Sequence, residues 1–202
     1  MKFDRTFVIS LPRQSKRLAA TQRHLTERGI VAEPFEAFDY TITGLDTRWP
    51  WDMDNPGTGY KIGPKIVNLY LSHVVLWRVL RYLDGDAFLI LEDDVRFDRD
   101  WKPVFDESTA ALPPDWGMLY PGSCNTMGKA TERVAGRLWR VSHVLCTHCY
   151  AVRRRALPIL LEACQQVWTS LDAAIQMNAR PLLNTYAILP PIAVQYATHL
   201  LP

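Results

Sequence analysis

Apolar and polar positions divide the chain into short buried runs separated by amphipathic stretches. Phe7 to Leu11 is an apolar run rich in β-branched residues and closed by Pro12, the pattern of a buried strand. Ser15 is then placed to cap a helix over about 16–28, with Leu18, Leu25 and alanines on one face and Gly29 as its stop. The run 30–38 returns as a second strand, so the chain opens β–α–β, which predicts a parallel α/β sheet. Residues 39–63 gather Pro50, Pro56, Gly44, Gly57, Gly59 and Gly63 with Trp49 and Trp51, which predicts a long functional loop. Pro64 suits a first helical position, and 64–83 is apolar almost all round, as in a central buried helix. Residues 87–95 (AFLILEDDV) form the clearest strand, an apolar run leading into three acids. Strands near 116–120, 138–145 and 149–152, helices near 154–167 and 171–179, and a last strand near 182–189 complete the pattern. With no internal repeat, low-complexity tract or linker, it predicts a single domain over 1–202.

Composition narrows the class. Hydrophobic residues make up 48% and charged residues 22% of 202, which excludes a disordered or fibrous chain. A net charge of +2 is too small to point to nucleic acid as a partner. That average hides an uneven distribution. Residues 84–107 carry nine acids against Arg96, Arg99 and Lys102, a local charge of −6, whereas 129–155 carry seven bases against Glu132, or +6. No apolar run reaches the roughly 18 residues of a spanning helix, since Ile66 to Leu83 is broken by Asn68, Ser72, His73, Arg78 and Arg81. The run at 7–11 is too short for a signal-peptide core, so a cytoplasmic protein is expected, with at most peripheral contact at the inner face of the membrane. Four cysteines do not amount to a disulfide-dense scaffold.

The acidic strand end carries most of the chemistry. Glu92, Asp93 and Asp94 repel one another and cost free energy to desolvate, which a bound cation would offset. Ligands in open α/β sheets bind beyond the carboxyl ends of strands, where these acids fall. Strand alternation would send Glu92 and Asp94 to one face and Asp93 to the other. Hard divalent ions such as Mg²⁺ or Mn²⁺ take such oxygen ligands. The competing reading is a solvated loop start balanced by Arg96 and Arg99. Arg13, after the first strand, is suited to grip a phosphate, and Asp39 to hold ribose hydroxyls or form a turn. Ser72 and His73 read as support for the acidic strand. Cys146-Thr147-His148-Cys149 has C-x-x-C spacing, but Cys124 and Cys164 are single and far apart in sequence, which argues against zinc. His148 is a further candidate ligand for the active-site cation. Arg153 to Arg155 read as a solvated helix start or a contact to an anionic acceptor.

Glu92-Asp93-Asp94 after Leu89-Ile90-Leu91, together with FVISLPRQSKR (7–17), FEAFD (35–39), LSHVVLW (71–77), THCYAVRRRAL (147–157) and SLDAAIQ (170–176), resembles in order the motifs of glycosyltransferase family 25. That family includes lipooligosaccharide β-galactosyltransferases and collagen galactosyltransferases. The resemblance implies a GT-A type nucleotide-sugar transferase fold, an α/β fold with a mixed, mainly parallel sheet flanked by helices. It also implies inverting, metal-dependent transfer of galactose or glucose from a UDP-sugar to a glycan or glycolipid acceptor such as lipooligosaccharide. The expected cofactor is Mn²⁺ or Mg²⁺ at Glu92, Asp94 and His148. Arg13, Asp39 and Asp93 are expected to contact the donor, with Asp172 as general base or, alternatively, as a helix N-cap. Asn68 and Leu69 stand where the family has Gly then Cys, and the family pattern runs on past Gln195 into a longer tail. These departures keep open a catalytically degenerate binding module, and the carboxylates alone would also suit a divalent-metal phosphotransferase or hydrolase.

Overall fold

The computed structural model describes residues 3–39, 62–124 and 130–196. Strand β1 (Arg5–Ser10) is followed by a 3-10 turn (Pro12–Gln14), helix α1 (Ser15–Glu27) and β2 (Glu33–Glu36). Ser15 is thus the first helical residue instead of the cap, because the 3-10 turn begins the winding at Pro12. Gly29 ends this segment at φ 70°, a conformation that glycine adopts without strain. The long loop expected over 39–63 lies outside the described residues save for its ends.

Helix α2 (Pro64–Leu80) is followed by β3 (Ala87–Glu92), β4 (Val95–Phe97), α3 (Trp101–Ala110), β5 (Met118–Tyr120), β6 (Ala130–Ala135) and β7 (Leu138–Val141). Then come β8 (Cys149–Arg153), α4 (Leu157–Ala163), α5 (Leu171–Ala174) with a π turn (Ile175–Ala179), β9 (Thr185–Ile188) and β10 (Ala193–Gln195). Four elements have no counterpart in the sequence reading: α3, β4, which begins where the strand read over 87–95 should end, β6 and β10. The acids and bases of 98–107 mask the sparse apolar face of α3, while β6 is largely exposed and short of apolar alternation.

Eight strands form one sheet in the order β2-β1-β3-β8-β5-β9-β7-β6. From the pairings, β1, β2, β3, β5, β9 and β6 run one way, and β7 and β8 run against them. Alternation along β1 and β3 builds two cores. Phe7, Ile9, Phe88 and Ile90 pack with Trp77, Leu80 and Tyr150 on the α2 side. Val8, Leu89 and Leu91 pack with Leu25, Trp101 and Phe105 on the other. Since β3 is covered on both faces, its sequence is apolar without alternation.

Register then positions the chemistry. Ile9 of β1 pairs with Glu92 of β3, so both strands end together. Antiparallel β8 places Cys149 opposite Leu91, which brings Thr147 and His148 to the same rim. By the same antiparallel run, Arg153 sits opposite Ala87 at the far end of the sheet. The helix start expected here is present, since Arg154–Ala156 form a 3-10 turn leading into α4 and Arg155 is exposed, but all three arginines also have protein partners. Arg153 pairs with Asp86 at 2.7 Å, and Arg154 donates to the carbonyls of Arg81 (2.7 Å) and Gly85 (2.7 Å). Arg155 donates to those of Pro114 (2.9 Å) and Trp116 (2.8 Å). Arg154 ties down the chain after α2 and Arg155 the segment after α3, where carbonyls past a helix end attract cations.

Candidate active site

Strand β3 stops at Glu92, and the chain turns through Asp93 and Asp94 into β4. The three acids consequently take three directions instead of the two that an unbroken strand would impose. Asp93 faces α1. Its Oδ2 accepts from Ser10 Oγ at 2.6 Å, its Oδ1 pairs with Arg17, and its carbonyl accepts from Thr21. Asp94 faces β10, where its Oδ2 accepts from Gln195 Nε2 at 2.9 Å. Its Oδ1 is buried without a hydrogen-bond partner among the described residues. Burial pushes the Asp94 carboxyl above the ordinary range, and the Glu92 charge adds to that against the Gln195 bond.

Glu92 faces the α2 side. Its Oε1 accepts from Thr147 Oγ1 at 2.7 Å and lies 3.4 Å from His73 Nε2. Burial would raise this carboxyl, but the His73 and Thr147 contacts outweigh it and hold Glu92 below the usual glutamate range. The orientation of His73 follows from a chain of donors. Trp77 Nε1, which can only donate, gives its hydrogen to Tyr150 Oη at 2.8 Å. The Tyr150 hydroxyl is then free to donate to His73 Nδ1 at 3.0 Å, leaving the ring proton on Nε2, towards Glu92. Trp77, Tyr150 and His73 are all fully buried. Ser72 serves a different strand end, accepting from the Phe38 amide at 2.9 Å.

Two cavities meet at this rim. One of about 360 Å³ lies over the ends of β1 and β3 and is lined by Arg13, Arg17, Asn68, Glu92 and Asp93, among others. A second of about 290 Å³ is lined by Thr147, His148, Asp172 and Gln195, again with Glu92. Glu92, Lys65 and Leu69 border both, whereas Asp94 lines neither. In the larger cavity Arg13 Nε lies 3.2 Å from Asp39, so these two candidates are paired with each other. Asn68 is buried with both side-chain amide atoms unpartnered among the described residues, and it lines this cavity. Lys65, Asn68, Thr147 and Gln195 were not read from sequence. A polar residue inside the otherwise apolar run of α2 was the available signal for Asn68.

Asp172 lines the second cavity beside Glu92. It occupies the second position of α5, and Ser170, not Asp172, stands at the N-cap. Its Oδ1 accepts from Ser170 Oγ (2.6 Å) and the Ala173 amide (2.9 Å), and its Oδ2 from the Cys146 amide (3.1 Å). Cys146 is bonded to Cys124, with Cα atoms 5.6 Å apart, so the reading of Cys124 as a remote single cysteine is corrected. Cys149 is a separate buried thiol within β8, and the C-x-x-C spacing does not act as a unit. Among the described residues, the group of three donors with ligand atoms all within 4.8 Å is Cys124, Cys146 and His148. Glu92, Asp94 and His148 do not form such a group.

The model of the family described as "Glycosyltransferase family 25 (LPS biosynthesis protein)" matches residues 3–175. The chain is 26% identical over 144 residues to mouse (Mus musculus) procollagen galactosyltransferase 2, covering 66% of this chain and 23% of that protein. It is 27% identical over 131 residues to mouse inactive glycosyltransferase 25 family member 3, covering 60% of this chain and 22% of that protein. The chain thus spans about a quarter of the length of these curated relatives. Among solved structures, a glycosyltransferase involved in glycosylation of the major capsid of PBCV-1 superposes with a TM-score of 0.54 at 10% identity. That match covers 96% of this chain and 92% of the other, and it supports the GT-A-like fold.

Proposed function

This chain belongs to glycosyltransferase family 25, and on that premise we propose that it transfers a hexose, galactose or glucose, from a UDP-sugar to a hydroxyl of a glycan acceptor. The observation that carries the reading is the pair of cavities that share Glu92. The larger one has features suited to the donor. It lies beyond the carboxyl ends of parallel strands and holds the guanidinium groups of Arg13 and Arg17 for a diphosphate. The Asn68 amide, unpartnered among the described residues and with one donor end and one acceptor end, suits a uracil edge or ribose hydroxyls. Asp39 and Asp93 hold these arginines in place. Lys65 stands where the two cavities join and would oppose charge on the leaving diphosphate.

The second cavity would take the acceptor. Asp172, on its wall, is the proposed base for the acceptor hydroxyl, with its carboxylate fixed by three donors. Glu92, which borders both cavities, would be the oxygen ligand of a hard divalent ion, Mn²⁺ or Mg²⁺, supplying positive charge to the departing nucleotide, whereas Asp94 faces β10 and lines neither cavity. The ligand atoms of His148 group with the sulfur atoms of Cys124 and Cys146 and not with these carboxylates. Among the described residues no helix is long and apolar enough to cross a membrane. A cytoplasmic enzyme acting on a glycolipid at the inner face of the membrane is the setting this reading implies.

Thermal unfolding with UDP and Mn²⁺, followed by UDP release from UDP-galactose and UDP-glucose over an acceptor panel, tests the proposal. At 100 times the dissociation constant, UDP should add about 2.7 kcal/mol of stability. Asp172→Asn should lower turnover about 10²–10⁴-fold without weakening UDP binding. No shift with UDP and Mn²⁺ would overturn the reading. Binding without turnover by the wild type would select the second reading, a degenerate binding module, which the similarity to a relative named inactive favours.

A further inference from the structure

The C-x-x-C run lacks a second ligand pair in the sequence, and the fold brings one distant cysteine, Cys124, beside its Cys146 and His148. Cys124 follows the rim segment after β5, Cys146 precedes β8, and a β-bridge between Cys124 and Leu145 holds the two segments side by side. One donor atom from each of Cys124, Cys146 and His148 lies within 4.8 Å of the other two. His148 is 2% exposed, and its Nδ1 has no hydrogen-bond partner among the described residues. Its other ring nitrogen lies 3.4 Å from the Ala193 carbonyl. Cys146 holds φ at 72°, a left-handed conformation that a residue with a Cβ keeps only when its surroundings impose it. Cys146 is held there by the disulfide to Cys124 and by the hydrogen bond its backbone N–H donates to Asp172 Oδ2.

We propose that opening the Cys124–Cys146 disulfide converts this cluster into a binding site for a soft divalent cation of the zinc class, held by two thiolates and the His148 imidazole. A dithiol reductant attacks one sulfur, and its second thiol then closes on the first. Two electrons and two protons pass to the protein sulfurs, and the reductant leaves as a cyclic disulfide. Metal binding then releases the two thiol protons to solvent. A Cys₂His set leaves a fourth tetrahedral position. Cys146 and His148 both line the second cavity, so the cluster lies on its wall. The site is distinct from the oxygen donors Glu92 and Asp94, because thiolates select soft ions that carboxylates do not. The disulfide and the metal thus become alternative ways of holding the loop that binds Asp172. This inference does not depend on the transfer reaction.

Cadmium is the probe, because thiolate-to-cadmium charge transfer absorbs in the ultraviolet and reports sulfur ligation alone. The full chain is titrated with Cd²⁺ in its oxidised state and after reduction, with the reductant removed. The expected result is one thiolate-bound cadmium per chain in the reduced protein, none in the oxidised protein, and no displacement by excess Mn²⁺. Cys149 and Cys164 should stay silent, since both are buried among apolar core residues and neither belongs to the cluster. Cys124→Ser and Cys146→Ser should each remove most of the band. His148→Gln should keep the folded circular-dichroism spectrum and weaken binding by at least about tenfold, as losses around metal sites generally do. Absence of the band in the reduced wild type, which needs no variant to fold, would overturn the proposal. So would an equal band in the oxidised chain, or unchanged affinity in His148→Gln.

Discussion

Replacing Tyr150 by Phe removes one oxygen from the centre of the molecule and keeps the ring that packs against Tyr120. Two buried partners lose their bond. Trp77 Nε1 loses the acceptor at 2.8 Å, and His73 Nδ1 loses the donor at 3.0 Å. Neither can turn to water, since Trp77 and His73 are fully buried. An orphaned buried group costs about 1–3 kcal/mol, so the pair should cost about 2–6 kcal/mol, with the lower half expected where local packing relaxes. For a chain of this size that is a fall in Tm of about 2–4 °C per kcal/mol. Thermal and urea unfolding measure it. A double-mutant cycle with Trp77→Phe then isolates the bond, because the double variant has no indole donor left to satisfy. The combined loss should fall short of the sum of the single losses by more than the roughly 0.5 kcal/mol scatter of independent sites. Additive losses, or a Tyr150→Phe variant within 0.5 kcal/mol of wild type, would refute the donor chain and with it the orientation deduced for His73.

Gly122→Ala should destabilise for steric reasons. The new methyl would stand 2.5 Å from His148 Nε2 and 2.8 Å from the Ala193 carbonyl, and the second of these is backbone that cannot swing away. A loss of about 1–3 kcal/mol in urea unfolding is expected, and an unchanged midpoint would contradict the tight approach of β10 to the rim. Asp4 should contribute measurably to the loss of stability at acid pH. Its Oδ2 accepts from the Asp86 (2.7 Å) and Ala87 (2.9 Å) amides, and these bonds hold its carboxyl below the ordinary value of 3.8. A carboxyl lowered by folding adds stability above its unfolded value and loses it as pH falls through the folded one. Asp4→Asn should therefore flatten the fall in stability below about pH 4, seen as a smaller difference in Tm between pH 5 and pH 2.5 than wild type shows.

The chain's own pattern determined the elements that are buried on both sides or punctuated by proline and glycine. β1, α1 with its Gly29 stop, α2 from Pro64 and the apolar run of β3 were legible because their signals are local. The acidic rim was legible as well, since three carboxylates after five apolar residues have no comfortable place inside a sheet. The division of labour among Glu92, Asp93 and Asp94 was not. It depends on β3 ending at Glu92, and that end is set by α1, α2 and β10, each of which claims one acid through Thr21 and Arg17, His73, or Gln195. The uneven charge shows the same boundary. Sequence located the basic segment, but only the antiparallel course of β8 decided that Arg154 and Arg155 serve carbonyls at the far end of the sheet. Likewise no spacing rule could join Cys124 to Cys146 beside His148, for their meeting depends on two loops brought together by strand order. Local preference and burial act along the chain and can be read there. A site made by contacts between distant segments exists only once the sheet has set their register.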